Sequence, residues 1–347
     1  MQAAADARGL RLRPHAKTHK SPAIARQQID GGAIGICCAK LGEAEVFADA
    51  GIADIRVPYP LNPVCAPRVF ALARRTSLSF IVDDPIVADA WAAHASREGL
   101  VLDVLIKVDV GFHRCGIDPE SSAAAETVAR IASMKGLRFR GLLSHAGHAY
   151  HAASENELES IARSEARLLR NLAAAAGVPC EEISVGSTPT ARFSLDEPGL
   201  TELRPGNYAY FDRTQVGLGS ATLDDCALTV LARVVSRPAP ARVIFDSGSK
   251  TLTSDGARGF TPGSGHGVVL RDILSTEPNP SLVIERLSEE HATVRAIDGG
   301  AAPATGSLVR IVPNHSCVVS NLVDEIWLVD GDAVVDRLAV AARGKSA

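Results

Sequence analysis

The chain has 347 residues, of which 46% are hydrophobic and 22% are charged, and its net charge at pH 7 is −4. This length predicts about two domains with substantial cores. The slightly acidic balance gives no electrostatic basis for binding nucleic acid, and the sequence lacks the roughly 18 consecutive apolar residues that cross a membrane. Seven cysteines without a CxxC spacing, and a first segment without the apolar stretch of a secretory signal, predict reduced thiols in a cytoplasmic protein.

Short apolar segments alternate with alanine-rich helical patterns through the first part of the chain. We predict eight strands there: Arg11–Lys17, Ala33–Ala39, Asp54–Pro58, Leu78–Asp83, Leu102–Val108, Arg140–His145, Glu182–Val185 and Leu203–Tyr208. Largely apolar strands separated by helices indicate a parallel sheet that is covered on both faces. Eight such strands predict a TIM-like (β/α)8 barrel, with an open doubly wound sheet as the alternative.

The pattern changes after Gly219, where closely spaced strand candidates replace the helices. They are Ala227–Val235, Arg242–Asp246, Leu282–Leu287, Ala292–Ile297, Ser307–Ile311 and Glu325–Val329. Glycine-rich turns such as Asp298–Gly300 separate them, which predicts an antiparallel β domain with little helix. We therefore divide the chain into a barrel, residues 1–218, and a C-terminal antiparallel β domain, residues 219–347.

The stretch from Arg11 to Lys20 contains the first candidate for chemistry. It ends just before a predicted helix, so Lys17 falls at the carboxyl end of a strand, where α/β folds place their active sites. Burial and neighbouring groups such as His15 and His19 lower the pKa of a lysine and make its amine a nucleophile or a base. A Schiff-base lysine and a solvated basic loop are both compatible with this segment alone.

Two loops after the last barrel strands have the composition of a phosphate site. Gly186–Thr190 follows the seventh strand and Arg204–Tyr208 follows the eighth. From these positions TIM barrels commonly bind phosphate through backbone N–H groups and hydroxyls. Each peptide alone is also an ordinary turn, so the prediction depends on their combination.

Two more loops at the same end of the barrel contain ionisable groups. Asp109–Gly116 includes Arg114, which supplies either a charged contact to a cofactor or substrate or a structural ion pair. His145–His151 holds three of the ten histidines and one of the four tyrosines. Histidines at a strand end offer acids and bases that work near neutral pH.

The β domain contributes a possible metal pair, His315 and Cys317. If both lie on one strand, their side chains face the same side and could bind one zinc ion. Two protein ligands leave coordination positions open for substrate or water, as a catalytic site requires. The alternative is two unrelated residues on a strand.

Several motifs together resemble one family. They are, in chain order, RPHAKTHK, HAGHAY, GSTPT, RPGNYAYFD, DSGSKTLTSD and PNHSC. They are similar to motifs of the D-serine dehydratase / D-threonine aldolase family, which consists of fold type III, alanine racemase-like pyridoxal phosphate enzymes. The resemblance extends roughly from Leu10 to Trp327 and implies a homodimer that acts on a small D-amino acid.

The resemblance also implies a role for each candidate residue. Lys17 would form the Schiff base with pyridoxal 5′-phosphate. The other implied cofactor contacts are Tyr150, Thr188, Gly206, Asn207, Arg204 and Arg114. His315 and Cys317 would bind Zn²⁺ beside the substrate hydroxyl.

Two observations favour one reaction within the family. All four tyrosines lie in the barrel region, so the β-domain tyrosine that racemases of this fold use as second base is missing. The His-x-Cys pair resembles the zinc-dependent dehydratases, whereas the aldolases tend to show His-x-Asp. We therefore predict a lyase that converts D-serine to pyruvate and ammonia, or D-threo-3-hydroxyaspartate to oxaloacetate and ammonia.

Two alternatives stay open at this point. One is a metal-dependent aldolase of D-threonine or 3-hydroxy-D-aspartate, in which His148 would deprotonate the substrate hydroxyl. The other is a non-catalytic regulator that binds pyridoxal phosphate. The first residues also depart from the family pattern, because MQAAADARGL resembles the last turns of a helix, so we expect the chain to open inside a structural element.

Overall fold

A computed structural model describes residues 1–297 and 302–347. Its larger sheet contains β1 Arg11–Leu12, β2 Ile36–Cys37, β3 Asp54–Pro60, β4 Ser77–Val82, β5 Leu102–Lys107, β6 Leu137–Leu143, β7 Glu182–Val185 and β8 Glu202–Leu203. All neighbours are parallel, in the order β1-β8-β7-β6-β5-β4-β3-β2. A parallel bridge between His15 and Cys37 links the first strand to the second. The predicted (β/α)8 barrel is confirmed.

One helix precedes the first barrel strand, and the others follow the strands and cover the sheet. They are α1 Gln2–Asp6, α2 Pro22–Asp30, α3 Leu41–Asp49, α4 Ala66–Ala73, α5 Pro85–Arg97, α6 Ala124–Ala132, α7 Glu155–Ala176, α8 Thr188–Ser194 and α9 Arg213–Gly217. The longest of them, α7, begins where the Ser154 hydroxyl accepts the Glu157 N–H and ends at Gly177, whose φ is 64°. These are the expected start and stop signals of a helix. In the described ranges, no helix is long and apolar enough to cross a membrane.

The first and last barrel strands are shorter than predicted. The regular strand β1 ends at Leu12, although the N–H groups of Arg13 and His15 still donate to the carbonyls of Leu203 and Pro205, and the chain then turns into a 3-10 helix over Ala16–Thr18. The eighth strand, predicted over Leu203–Tyr208, stops at Leu203 and is followed by a 3-10 helix over Asn207–Ala209. Tight turns, not strands, therefore present Lys17 and Asn207.

The amino end of the barrel interior contains a network of buried charges. Arg56 donates to Glu182 (2.6 Å) and also contacts Glu202. Arg13 donates to the same Glu202 (2.9 Å), which also accepts a hydrogen bond from the Ser184 hydroxyl (2.5 Å). These opposite charges satisfy one another within the chain, as buried ions must.

The C-terminal part contains a second sheet. Its strands are β9 Val230–Ala239, β10 Arg242–Phe245, β11 Val268–Val269, β12 Leu282–Leu287, β13 Ala292–Ala296 and β14 Leu308–Val312. They pair antiparallel in the order β11-β14-β9-β10-β13-β12. Val234, Phe245 and Ile284 are buried on its inner face. The predicted antiparallel β domain is confirmed.

Several elements of this part were not predicted. They are β16 Ala333–Ala339, which pairs with β15 Glu325–Asp330 in a separate hairpin, and the short helices α10 Ser249–Leu252 and α11 Ser316–Asn321. Strand β15 itself was predicted, over Glu325–Val329. The turn predicted at Asp298–Gly300 lies outside the described residues. The division at residue 218 falls between α9 and β9 and stays a prediction.

Candidate active site

A cavity of about 560 Å³ opens at the carboxyl end of the barrel strands, beside α11 of the C-terminal part. Nine of the ten predicted site residues line it: Lys17, Arg114, Tyr150, Thr188, Arg204, Gly206, Asn207, His315 and Cys317. The fold thus brings together side chains from opposite ends of the sequence. Their individual roles stay predictions.

Lys17 reaches the cavity from the 3-10 helix that follows β1. Burial lowers the pKa of its amine, and the charges of Arg114 and Arg204 act in the same direction, whereas Cys317 opposes them. A lowered pKa increases the fraction of neutral amine, the form that attacks a carbonyl or accepts a proton. Lys17 is therefore suited to anchor a carbonyl cofactor covalently.

Three buried polar atoms near the last barrel strands form an unsatisfied group. The Ser187 hydroxyl, the Thr188 hydroxyl and the Asn207 side-chain oxygen find no hydrogen-bond partner within the described residues. Buried polar groups in folded proteins are nearly always paired. Hydroxyls left without a partner beside a cavity therefore fit a ligand rich in oxygen atoms, such as a phosphate.

Gly206 brings these groups close to the lysine turn. A Cβ atom at this position would lie 2.9 Å from the His15 carbonyl oxygen and 2.9 Å from the Thr18 hydroxyl oxygen. Because any side chain would collide there, only glycine lets the eighth-strand loop pack against the turn that holds Lys17. We call Ser187, Thr188, Gly206 and Asn207 the phosphate cradle.

The remaining predicted cofactor contacts differ in how firmly they are held. Arg204 is buried and donates to the Ser184 hydroxyl (2.7 Å) and to the Ser144 carbonyl. Burial raises the pKa of Tyr150, so the phenol stays protonated at neutral pH. Arg114 is exposed, lies over the Phe112 ring and has no acidic partner among the described residues. Its positive charge is available to a ligand.

His148 is the one predicted residue that does not line the cavity. It lies in the 3-10 helix Gly147–His151, which turns its ring toward Gly111, while Tyr150 and His151 line the cavity instead. The sequence indicated a histidine cluster but could not decide which ring faces inward. The role of His148 as the base stays a prediction, made of a residue that does not line the cavity.

Helix α11, and not a strand, carries the predicted metal pair. The strand β14 ends at Val312, and His315 is the residue before the helix. Asp212 accepts the Ser316 N–H (2.9 Å) and so stabilises the start of this helix. The prediction that His315 and Cys317 share a strand face is therefore wrong. Both side chains nevertheless line the same cavity, and each shifts the pKa of the other: His315 lowers that of the thiol and Cys317 raises that of the imidazole.

The surroundings of this pair favour ligation by a thiolate and an imidazole. Burial alone would raise the pKa of the Cys317 thiol, but His315 outweighs it and the pKa is lowered. The sulfur also contacts the Thr18 hydroxyl (3.3 Å) and the Asn207 amide nitrogen (3.5 Å). Asp255 holds the Nδ1 atom of His315 at 2.6 Å, which leaves Nε2 for a metal, as carboxylate partners of metal-binding histidines do.

No group of three or more His, Cys, Asp or Glu side chains in the described ranges is arranged to hold a metal ion. Thiolate and imidazole donors suit zinc. An ion bound to the pair would therefore take its other donors from water or from a substrate, and such an open site is catalytic in type.

The sequence motifs contained further site residues that we did not single out. Asp212 ends the motif RPGNYAYFD and accepts hydrogen bonds from Asn207 (2.7 Å) and from Ser316, so it connects the cradle to α11. Asp255 ends the motif DSGSKTLTSD. Lys107 and His145 also line the cavity, and burial lowers the pKa of Lys107 to about 8. Lys107 ends β5 and His145 lies just after β6, so for these two residues the strand end was the available signal.

Two known families match the chain. The family described as alanine racemase, N-terminal domain, matches residues 1–214, and the one described as putative serine dehydratase domain matches residues 227–329. The first match covers more than half of the 347 residues. Together the two matches include every residue that was predicted to belong to the site.

Three similar proteins cover nearly the whole chain. A D-threonine aldolase of Arthrobacter sp is 34% identical over 100% of this chain and 89% of its own length. A D-threo-3-hydroxyaspartate dehydratase of Delftia sp. (strain HT23) is 36% identical over 91% of this chain and 86% of its own length. A solved structure of a D-threo-3-hydroxyaspartate dehydratase, a cysteine-to-alanine variant in the metal-free form, has a TM-score of 0.90 at 32% identity and covers 97% of this chain and 92% of its own.

Proposed function

Because the chain belongs to the alanine racemase-like, pyridoxal phosphate-dependent lyases, we propose that it dehydrates a D-3-hydroxy amino acid and releases ammonia. D-serine would give pyruvate, and D-threo-3-hydroxyaspartate would give oxaloacetate. The observation that carries the proposal is that Lys17, His315 and Cys317 line one cavity, with Thr18, the neighbour of Lys17, in contact with the Cys317 sulfur. A metal donor pair beside the lysine suits the removal of a hydroxyl from the carbon next to the amine-bearing one.

The unpaired polar atoms support cofactor binding. The phosphate cradle would hold the phosphate through hydroxyls that lack another partner. Lys17 would anchor the aldehyde, and Arg204, fixed by Ser184 and Ser144, would border the ring. When bound, pyridoxal phosphate supplies the electron sink at the substrate α-carbon and zinc supplies the Lewis acid at the 3-hydroxyl.

The protein's own groups would carry out the proton transfers and the orientation of the substrate. Lys17, once released from its anchoring role, would be the base for the α-proton, because burial lowers the pKa of its amine and so raises the fraction of the neutral form. It reaches the substrate from one side only, which gives the preference for one enantiomer. Arg114 has its charge free for the substrate carboxylate. His315 and Cys317 would hold the metal at the leaving hydroxyl.

Retro-aldol cleavage is the second candidate, since a D-threonine aldolase is 34% identical over the entire chain. Such a reaction needs a base at the substrate hydroxyl. His148 does not line the cavity, but His151 does and takes its place in this alternative. The donor pair favours dehydration, because a thiolate prefers zinc over the harder ions.

We also infer a homodimer located in the cytoplasm. All seven cysteines are free, as expected in a reducing compartment. Trp327 and Val329 on the β15–β16 hairpin are more than half exposed, and exposed apolar clusters commonly lie at subunit contacts. Sedimentation of the purified protein tests the dimer, and a monomer at micromolar concentration would contradict it.

The products of three substrates test the proposed function. Purified protein loaded with pyridoxal phosphate and Zn²⁺ is offered D-serine, D-threonine and D-threo-3-hydroxyaspartate. We expect a keto acid and ammonia in equal amounts from at least one of them, and no reaction with L-serine. Glycine and an aldehyde as the main products would make the enzyme an aldolase.

A further inference from the structure

Lys20 has an unusual backbone conformation for which the proposed reaction gives no reason. Its φ is 51°, although it is not a glycine, and its side chain is buried. A non-glycine residue in the left-handed region is strained, and it persists where surrounding contacts fix it. Lys20 follows Lys17 by three positions, so its conformation affects the same turn.

The Lys20 side chain joins the barrel to helix α11. Its ammonium lies 2.7 Å from the side-chain oxygen of Asn321 and 3.1 Å from Glu43. Asn321 is the last residue of α11, and Glu43 lies in the first turn of α3. The other carboxylate oxygen of Glu43 accepts the Ala39 N–H (2.7 Å). Lys20 is therefore held on the barrel side and in turn holds the helix that contains Cys317.

Two more contacts join the turn that holds Lys17 to helix α11. The Ser320 hydroxyl donates to the Thr18 carbonyl (2.5 Å), and the Thr18 hydroxyl contacts the Cys317 sulfur (3.3 Å). Ser320 and Thr18 are fully buried. We call Thr18, Lys20, Ser320 and Asn321 the clamp. Three contacts, Lys20 to Asn321, Ser320 to Thr18 and Thr18 to Cys317, attach α11 to the turn that holds Lys17.

We propose that Lys20 is a positioning residue, which through Asn321 fixes α11 and so places the Cys317 thiol in the cavity that Lys17 also lines. This inference rests on the proposed function. A metal held by only two protein donors depends on their exact placement, because a displacement of a donor atom by about half an ångström is enough to weaken binding. Lys20 and Asn321 contribute no donor of their own to the metal pair, so a change there separates placement from ligation.

The best test variant is Asn321→Leu. It removes the acceptor for Lys20, and with it the acceptor for the exposed Gly344 N–H (3.2 Å), but leaves the ion pair between Lys20 and Glu43, so no buried charge loses its partner. Lys20→Met, which leaves Glu43 without its cation, is the second variant and is expected to be less stable. The matched control is Arg343→Met, which removes a surface ion pair with Asp324 (2.6 Å) and a long hydrogen bond to the Asn321 carbonyl oxygen (3.4 Å) but leaves the Lys20–Asn321 side-chain contact in place.

The measurement is a Zn²⁺ titration of the pyridoxal phosphate-loaded, metal-stripped protein in competition with a chelating dye. We expect Asn321→Leu to bind zinc about tenfold more weakly than wild type, the range found for groups that orient metal ligands. Its cofactor absorbance should match wild type, and excess zinc should restore its turnover. Arg343→Met should behave as wild type.

Two results would overturn the role of Lys20. One is a zinc affinity of Asn321→Leu equal to that of Arg343→Met. The other is loss of the cofactor absorbance together with zinc binding, which would mean that the contact only keeps the protein folded. A wild-type protein that binds no zinc would instead refute the metal assignment in the proposed function, and the placement role would fall with it.

Discussion

The two ends of the barrel interior differ in whether their buried polar groups have partners within the chain. At the amino end, Arg56 and Arg13 share Glu202, and each of these buried charges has a partner inside the chain. At the carboxyl end, Ser187 and Thr188 have buried hydroxyls with no partner in the part of the chain that the structure describes. One end is complete by itself, and the other is complete only with a ligand.

This difference separates stability from function within one sheet. Removing one member of a buried ion pair leaves an uncompensated charge and destabilises the fold. Removing an unpaired hydroxyl beside a cavity costs the fold little, because it breaks no internal hydrogen bond. Substitutions at the amino end should therefore act on unfolding, and those at the carboxyl end on ligand binding and turnover.

The largest expected effect on activity comes from Lys17→Ala. It should abolish both turnover and the visible absorbance of bound pyridoxal phosphate, because the amine is the covalent anchor and the base. The free energy of unfolding without cofactor should stay close to wild type. Lys135→Ala, at an exposed lysine, is the control. A Lys17→Ala protein that keeps the absorbance would refute the anchor.

The largest expected effect on stability comes from Arg56→Met. It should lower the free energy of unfolding by about 3–5 kcal/mol, since Glu182 and Glu202 lose a buried partner. Arg74→Met removes an ion pair with Glu98 (2.8 Å) that is about half exposed. This variant should change the free energy of unfolding by less than about 1 kcal/mol. Urea unfolding measures both, and equal effects would contradict the contrast between buried and exposed pairs.

A smaller effect is expected from Thr188→Val in the phosphate cradle. The variant keeps the shape of the side chain but loses the hydroxyl, so the dissociation constant of pyridoxal phosphate should rise about tenfold, as for one hydrogen bond to a charged group. Thr190→Val is the matched control, because the Thr190 hydroxyl already donates to the Ser187 carbonyl (3.4 Å). Equal cofactor affinities of the two variants would place the phosphate elsewhere.

The smallest effect is the acid dependence of the amino end. Burial alone would raise the pKa of Glu202, but Arg56 and Arg13 lower it from 4.5 to about 2. The unfolded chain therefore binds this proton first, so the stabilisation is present above about pH 4.5 and is lost as the pH falls toward 2. Between pH 7 and pH 4 the loss from this group should be about 1 kcal/mol. Unfolding of Glu202→Gln should lack this part of the pH dependence.

The sequence predicted the barrel well because its signals are local. Apolar runs such as Leu102–Lys107 are buried strands, and Gly177 ends the long helix where expected. The buried charges were missed for the opposite reason. Arg56 lies in an apolar strand, and its partner Glu202 is 146 positions away, so neither residue indicates the other.

The site shows the same limit. Spacing indicated that His315 and Cys317 meet, but a helix start stabilised by Asp212, not a strand, brings them together. Spacing could not show that Thr18 touches Cys317 across 299 positions. It also could not tell His148 from His151, because a 3-10 turn decides which ring faces the cavity.

The most direct test of the account is the metal dependence of keto acid formation. Pyridoxal phosphate-loaded protein is stripped with EDTA, assayed with D-serine and D-threo-3-hydroxyaspartate, and assayed again as Zn²⁺ is added back, in wild type and in Cys317→Ala. We predict that wild type loses keto acid formation on stripping and regains it at one zinc per chain, while Cys317→Ala stays inactive. Full keto acid formation by the stripped wild type, or by Cys317→Ala, would contradict the assignment of the metal pair to catalysis.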